Sequence, residues 1–325
     1  MTMAASSPTA PVGPAPREVI ARDVLRAGVG GRLPTTVHYQ ESLGVGSGTV
    51  QKALKDLRNE GAMSLVARGH QGTFITGLDA ALLWSAARLS PVHLLLPPNA
   101  PPESMRVATA VAERFAPLGA YTTVGHLRGA EPRLRSIEAH QADIALMSAG
   151  AAGDLLAAGA GHRTLTLGSG TYYAPGSLVV VTRTPGPGHG TDGAELRIGI
   201  DLDSDDHQRL THAEFPEGTG RYVPTDFTSV PRAVLLGEID AGIWHTVDSL
   251  IPLDAAGLTV APLTRPDAVE LARAISAAVL VATRDNIPGV LLARTANEGR
   301  DLLTTSPPAP GSGLPGGDDP LRLRV

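Results

Sequence analysis

Three groups of residues in this chain could do chemistry. The first is "DDHQRLTH", with Asp205, Asp206, His207 and His212. Two carboxylates and two imidazoles could seed a metal site. His207 and His212, however, stand five positions apart and fall on different sides of a helix. A polar helix face is therefore expected there, and no metal site. The second group is "GSGTVQKALKDLRNEG", where Gln51, Lys52, Lys55 and Arg58 follow a glycine-rich turn. Cations repeated at helical spacing after a tight turn suit a polyanion. The third group is a set of small polar and aromatic residues that follow apolar runs: "ALMSAG", "SGTYY", "GIDLDS" and "AGIWHT".

Familiar enzyme signatures are absent. No Gly-Lys pair exists to build a phosphate loop. No serine has glycine two residues before and after it, and no HExxH spacing occurs. "PGPGHG" (185–190) lacks the strand-to-helix context of a dinucleotide loop and reads as a linker. The chain has no cysteine, which excludes disulfides, thiolate metal sites and cysteine nucleophiles. No catalytic residue and no cofactor is expected.

The elements that must carry these groups follow from length and pattern. The 325 residues suffice for about two domains. Aromatic residues make up 3%, so the core must be aliphatic. The longest apolar runs are too short to span a bilayer, and 1–16 lacks a basic signal-peptide start, so a cytoplasmic protein without membrane contact is expected. Net charge is −5, unevenly spread: residues 17–77 balance to +3 and the remainder to −8. A basic small segment joined to an acidic large one suits a nucleic-acid module attached to something else.

Residues 1–16 are rich in Ala, Pro, Ser and Thr and read as a disordered tail. Val19, Ile20 and Val24 recur at helical spacing until the glycines at 28–31. Thr35 is an N-cap candidate before Tyr39 and Leu43. Val50, Ala53, Leu54 and Leu57 give a third helix its buried face, ended by Gly61. "AMSLVARGHQGTFIT" reads as a hairpin with Arg68 and His70 at its tip. Three helices and a hairpin make a winged helix. The N-terminal residues of its last helix would face base edges in a major groove. Thr35, Ser47, Gly48, Thr49, Gln51, Lys52, Lys55, Arg68 and His70 are the expected DNA contacts.

The stretch "GRLPT…LGVGSGTVQKALKDLRNEGAMSLVARGHQGTFI" resembles the DNA-binding domain of GntR-type regulators. The shared marks are Leu33-Pro34, Leu43-Gly44-Val45, Thr49-Val50, Ala53-Leu54, Leu57, Gly61 and Gly72-Thr73-Phe74. The resemblance covers about residues 17–77. Where that family commonly has Ser-Arg, this chain has Gly46-Ser47, so a helix cap and a phosphate-contacting arginine are missing. The wing and the downstream sequence look most like the YhfZ-like group of regulators.

Beyond a helical stretch at 78–90, read as a linker, apolar strand patterns alternate with helical ones, the mark of an α/β sheet. Two such series in succession imply two lobes. "HQADIALMSAG" and "LGEIDAGIWHT" share one grammar: helix end, acidic turn, buried strand, then small or polar residues. This resembles the fold of type 2 periplasmic solute-binding proteins, which the effector domains of LysR-type regulators share. The expected organisation is multidomain: a tail at 1–16, a winged helix-turn-helix at 17–77, the linker, a two-lobed α/β effector domain at 91–304, and a disordered tail at 305–325.

Ligands in open α/β sheets collect beyond the carboxyl ends of strands. That rule nominates Ser148 and Ala149, Ser169, Thr171, Tyr172 and Tyr173, Ser204 and Asp205 at a helix start, and Trp244, His245 and Thr246. The expected partners are double-stranded DNA, a small-molecule effector and a second copy of the chain. The alternative is a small-molecule receptor whose winged helix serves dimerisation or protein contact; the Gly46-Ser47 departure favours it.

Overall fold

The computed structural model describes residues 14–156, 161–183, 195–246 and 253–297. The "PGPGHG" linker, the tail at 305–325 and the boundary at 304 lie outside the described residues, as does most of the tail at 1–16.

The chain opens with α1 (Pro16–Ala27), α2 (Thr36–Leu43) and α3 (Ser47–Asn59), followed by the hairpin β1 (Met63–Ala67) and β2 (Thr73–Leu78). Pro16 occupies the first turn of α1, where a missing N–H costs nothing. Thr35 caps α2, its side chain accepting from the His38 N–H at 3.1 Å. Gly44 makes the turn into α3 in the left-handed conformation, φ 63° and ψ 34°. Val50, Ala53 and Leu57 are buried, whereas Leu54, expected with them, is half-buried. Arg32 adds a bridge to Phe74 beside the hairpin, completing the wing.

The segment expected as a linker is instead a docked helix, α4 (Ala80–Ala86), capped by the Asp79 carboxylate on the Leu82 N–H. Leu83 and Trp84 are buried, and Trp84 meets Phe115 with ring centroids 5.8 Å apart. The reason is compositional: "ALLW" is too apolar to remain in solvent.

Two five-stranded sheets follow. The first lobe contains β3 (Val92–Leu96), α5 (Pro102–Phe115), β4 (Thr122–His126), α6 (Ala130–Glu138), β5 (Ile144–Ser148), α7 (Ala149–Leu155) and β6 (His162–Thr166). The second contains β7 (Leu178–Arg183), β8 (Arg197–Ile200), α8 (Asp205–Glu214), β9 (Arg221–Pro224), α9 (Val230–Leu236), β10 (Ala241–His245), β11 (Leu258–Pro262) and α10 (Pro266–Ala274). The chain then returns to the first lobe with β12 (Ala278–Thr283) and α11 (Ile287–Asn297). The sheet orders are β4-β3-β5-β12-β6 and β11-β7-β10-β8-β9.

The two "grammar" phrases supply the middle strand of each sheet, β5 and β10, and every residue of both is buried. The lobes are not the two consecutive series that the sequence suggests. β7 ends the first series but pairs antiparallel with β10 and β11 in the second sheet. β12 lies antiparallel between β5 and β6. The polypeptide therefore crosses between lobes twice, at 167–177 and 275–277, as in type 2 periplasmic-binding-protein-like folds.

One apolar core runs from the winged helix through α4 into the first lobe. It includes Ile20, Leu25, Leu57, Leu83, Trp84, Leu94, Phe115, Leu146 and Ile287. Arg294 of α11 donates to the Leu25 and Arg26 carbonyls at the end of α1. Gly28 sits against it with φ 71°, and a Cβ there would lie 2.6 Å from the Arg294 guanidinium. The second lobe has separate clusters of its own, around Val181 and Val234 and around Leu210 and Ile243.

Candidate DNA-binding face and interlobe cleft

Most of the expected DNA contacts lie along α3 and at the wing tip. Gly48, Thr49, Gln51, Lys52 and Lys55 are exposed along α3, and Ser47 is half-buried at its first turn. Gly46 precedes the helix without a side-chain cap. Gly48, Gln51, Lys52, Lys55 and Arg58 line a groove against Ser64 and Leu65 of the wing. Lys52 is 2.6 Å from Asp56, one turn on, while its side chain remains 76% exposed. Arg68 lies over the Phe74 ring, 4.8 Å from its centroid, with His70 exposed in the single turn at the wing tip. Thr35 is exposed but uses its oxygen to cap α2.

Between the lobes lies a cleft of about 520 Å³, which is the size of a small-molecule site. Both lobes present strand ends to it. Ser148, Tyr172, Tyr173, Ser204, Asp205 and His245 line it, as expected. Ser148 closes β5, caps α7 by accepting from the Ala151 N–H at 3.0 Å, and donates across the cleft to Asp206. Ser204 caps α8 through the His207 N–H. Tyr172 and Tyr173 meet edge to face at 4.8 Å.

Five candidates do not line the cleft. Ser169 bonds Ser276 at 2.7 Å. Thr171 donates to the Gly168 carbonyl and accepts from the Ala278 N–H. Ser169 thus ties the two interlobe crossings together, and Thr171 ties the first crossing to the start of β12. Ala149 begins α7 and is held through its N–H to Ala277. Trp244 sits in the apolar cluster with Val179, Val230 and Leu258. Thr246 is exposed past the end of β10.

The strongest polar feature of the cleft was not among the sequence candidates. Arg128, at the turn after β4, reaches from the first lobe to three aspartates of the second. It lies 2.6 Å from Asp201, 3.4 Å from Asp203 and 2.5 Å from Asp226. Asp201 also accepts from the Asp203 and Phe227 N–H groups. Burial pushes the Asp226 carboxyl up, but two Thr228 donors and Arg128 outweigh it and hold the group below the usual range. The strand-end rule could have found Asp201, which directly follows the apolar strand β8, but not Arg128, which follows the mostly exposed β4.

His207, expected on a polar helix face, is buried. Its Nδ1 accepts from the Asp201 N–H at 2.8 Å and its Nε2 donates to the Ile243 carbonyl at 3.0 Å. Burial lowers its pKa, which the Ile243 bond opposes. It is a structural tie between α8, β8 and β10. His245 differs: it is 3% exposed, and neither ring nitrogen makes a hydrogen bond of full geometry, although the Asn99 backbone stands as an acceptor for its N–H. Its ring stands 4.9 Å from Phe227 and 5.9 Å from Tyr173. Burial pushes its pKa down to about 4, so it is neutral near pH 7. Among the described residues no group of three or more His, Cys, Asp or Glu has the arrangement of a metal site. Nor is any helix among them long and apolar enough to cross a membrane.

Comparison with known proteins adds the following. The model of the YhfZ C-terminal domain matches residues 79–302, and a helix-turn-helix domain model matches residues 28–75. The chain is 26% identical over 284 residues to the uncharacterized protein YhfZ of Escherichia coli K12, covering 87% of this chain and 90% of that one. It is similar to the crystal structure of YhfZ from Shigella flexneri, with 23% identity and a TM-score of 0.46, over 68% of this chain and 96% of that chain. It is also similar to the alkanesulfonate-binding protein SsuA from Xanthomonas axonopodis pv. citri, with 13% identity and a TM-score of 0.45, over 66% of this chain and 72% of that chain.

Proposed function

Because this chain belongs to the YhfZ family, by the match of that family's C-terminal domain to residues 79–302, we propose a function for its two parts together. It is a transcriptional regulator in which a small molecule bound between the lobes alters the way the winged helix engages duplex DNA. The winged helix is of the GntR kind. The observation that carries the reading is the single core joining the winged helix to the first lobe, while the second lobe is attached by two crossings and polar bridges. A ligand that favours one interlobe arrangement would then bias surfaces that the first lobe shares with the DNA-binding unit. One recognition helix buries little surface, so a homodimer on a two-fold operator is part of the proposal.

The experiment is selection of genomic fragments by the purified full chain, followed by mobility shifts of the selected duplex across salt concentrations. A reproducible sequence, bound with a steep salt dependence, is the expected result. Failure to select any sequence, with binding no tighter than to random duplex, would sink it. A second reading is favoured by one observation: Gly46 leaves α3 without a side-chain cap and Ser47 stands where an arginine would reach phosphate. In that reading the winged helix joins two copies of the chain and the protein is a metabolite receptor. Oligomeric state after exchange of α3 surface residues separates the two.

A further inference from the structure

The cleft has a charge and a pair of empty hydrogen-bonding positions that restrict what it can hold. Its lining includes six carboxylates, Glu131, Asp201, Asp203, Asp205, Asp206 and Asp226, against three guanidinium groups. Each of the three already has partners. Arg135 pairs with Glu131. Arg133 is buried and donates to the Leu146 and Leu127 carbonyls. Arg128 is shared among three aspartates. An acidic lining alone would be unremarked, since carboxylates at a helix start also cap it. The independent observation is His245. It is almost wholly buried and lines the cleft; its N–H has at most the Asn99 backbone as acceptor, and its lone pair has no donor. A buried polar group without a partner costs free energy comparable to that of a broken hydrogen bond, so such groups mark places where something else completes the bonding. One oxygen of Asp206, Oδ1, is likewise buried without a hydrogen bond, although the Arg209 guanidinium stands 3.6 Å away.

We propose that the cleft takes a small organic cation, an amine or guanidine, one N–H of which donates to the His245 lone pair and whose charge is met by Asp206, against the rings of Tyr173 and Phe227. The inference rests on the reading of the cleft as the effector site and adds the chemical class of the effector. A neutral imidazole offers one lone pair, which suits an N–H donor. Two aromatic rings flank His245, and a cation over such rings gains further attraction. An anion would meet an excess of carboxylates and no unengaged guanidinium.

The test is calorimetric titration of the full chain with putrescine and agmatine, beside succinate and butanediol as length-matched anion and neutral probes. Binding of at least one of the two amines, and of neither control, is expected. Asp206→Asn keeps the shape and removes the charge, and should weaken the amine by about tenfold or more. His245→Leu should do the same by removing the acceptor. Asp205→Asn, exposed on the same helix start, is a control for charge alone and should change affinity by less than Asp206→Asn. If neither amine gives heat, if succinate binds instead, or if Asp206→Asn and Asp205→Asn weaken the amine equally, the cation assignment fails. The wider reading fails separately: DNA binding that responds to no metabolite in a library would remove the effector site, whatever the amines do.

Discussion

The first lobe has two joints, and they are built from opposite materials. Toward the winged helix the joint is apolar: Ile20, Leu25, Leu83, Trp84 and Phe115 belong to one core. Toward the second lobe it is polar. Arg128 bridges to Asp201 and Asp226, Ser148 bonds Asp206, and Arg209 of α8 pairs with Asp154 of α7 at 2.6 Å. An apolar joint loses stabilisation for every square ångström it opens, at about 25 cal/mol per Å². Exposed ion pairs exchange their partners for water and salt at little net cost. The contrast assigns fixed geometry to the first joint and adjustable geometry to the second. A sensor needs that division: one lobe to carry the readout and one to move against it.

The sharpest way to break this contrast is Trp84→Ala. The indole is buried between α1, α4 and the first lobe, and its removal should cost about 3–5 kcal/mol in chemical denaturation. The winged helix and first lobe should still unfold in one transition. If two transitions appear in the native chain, the joint is not a common core. A chain beginning at Ser90 would lack α4 and expose that surface, so poor solubility of the shortened chain is expected.

The next effect is on pH and belongs to the cleft. His245 is neutral when folded, with its pKa pushed down to about 4 by burial, which outweighs the favourable Asn99 backbone and Glu103 charge. An unfolded histidine titrates near 6.5. Above that value both states are neutral and the stability is full. As pH falls the unfolded state takes the proton first, so stability declines between about 6.5 and 4 and levels off below. The shift corresponds to about 3 kcal/mol at most. Asp206 works in the opposite direction: burial raises its pKa, so its ionisation as pH rises opposes folding. The difference between the native chain and His245→Gln isolates the histidine. Identical pH–stability curves would show that the imidazole is solvated and the cleft is not dry.

A third measurement concerns the fixed side. Replacing Lys52 and Lys55 together by alanine should flatten the dependence of DNA affinity on salt, by about one unit of slope for each phosphate that the two lysines neutralise. Their exposure predicts little change in thermal stability, since the Lys52–Asp56 pair is a surface pair. An unchanged slope would take α3 out of the interface and favour the dimerisation reading.

Much of the fold could be read from local pattern. The spacing of Val50, Ala53 and Leu57 gives α3, and the two continuous apolar runs give the central strands β5 and β10. What could not be read was long-range. Nothing local says that β7 joins the later strands or that β12 returns to lie between β5 and β6. Pairing partners are chosen by the whole chain. In the site, Ser148, the two tyrosines and His245 followed from the strand-end rule. Trp244 did not, and alternation gives the reason: successive side chains of a strand face opposite ways, so a cleft-facing His245 turns its neighbour toward the opposite core. Arg128 was missed because it follows β4, an edge strand whose half-exposed residues carry little apolar signal.

Arg128 provides the smallest effect in energy and the most direct test of the adjustable joint. Its side chain is 40% exposed, and Asp201, although only 4% exposed, keeps two backbone N–H donors when the guanidinium is lost, so these pairs add about 1 kcal/mol to global stability. Arg128→Ala should therefore leave the denaturation midpoint nearly unchanged. It should also leave Asp201 and Asp226 facing the first lobe without their counter-charge, which favours separation of the lobes. Small-angle scattering should then report a larger radius of gyration than for the native chain. High salt applied to the native chain should move it in the same direction, and the two effects should not add, because they remove the same attraction. An unchanged radius in the variant at low and high salt would mean that the Ser169–Ser276 and Thr171–Ala278 bonds hold the lobes by themselves. The polar joint would then be as fixed as the apolar one, and the distinction between them would fail.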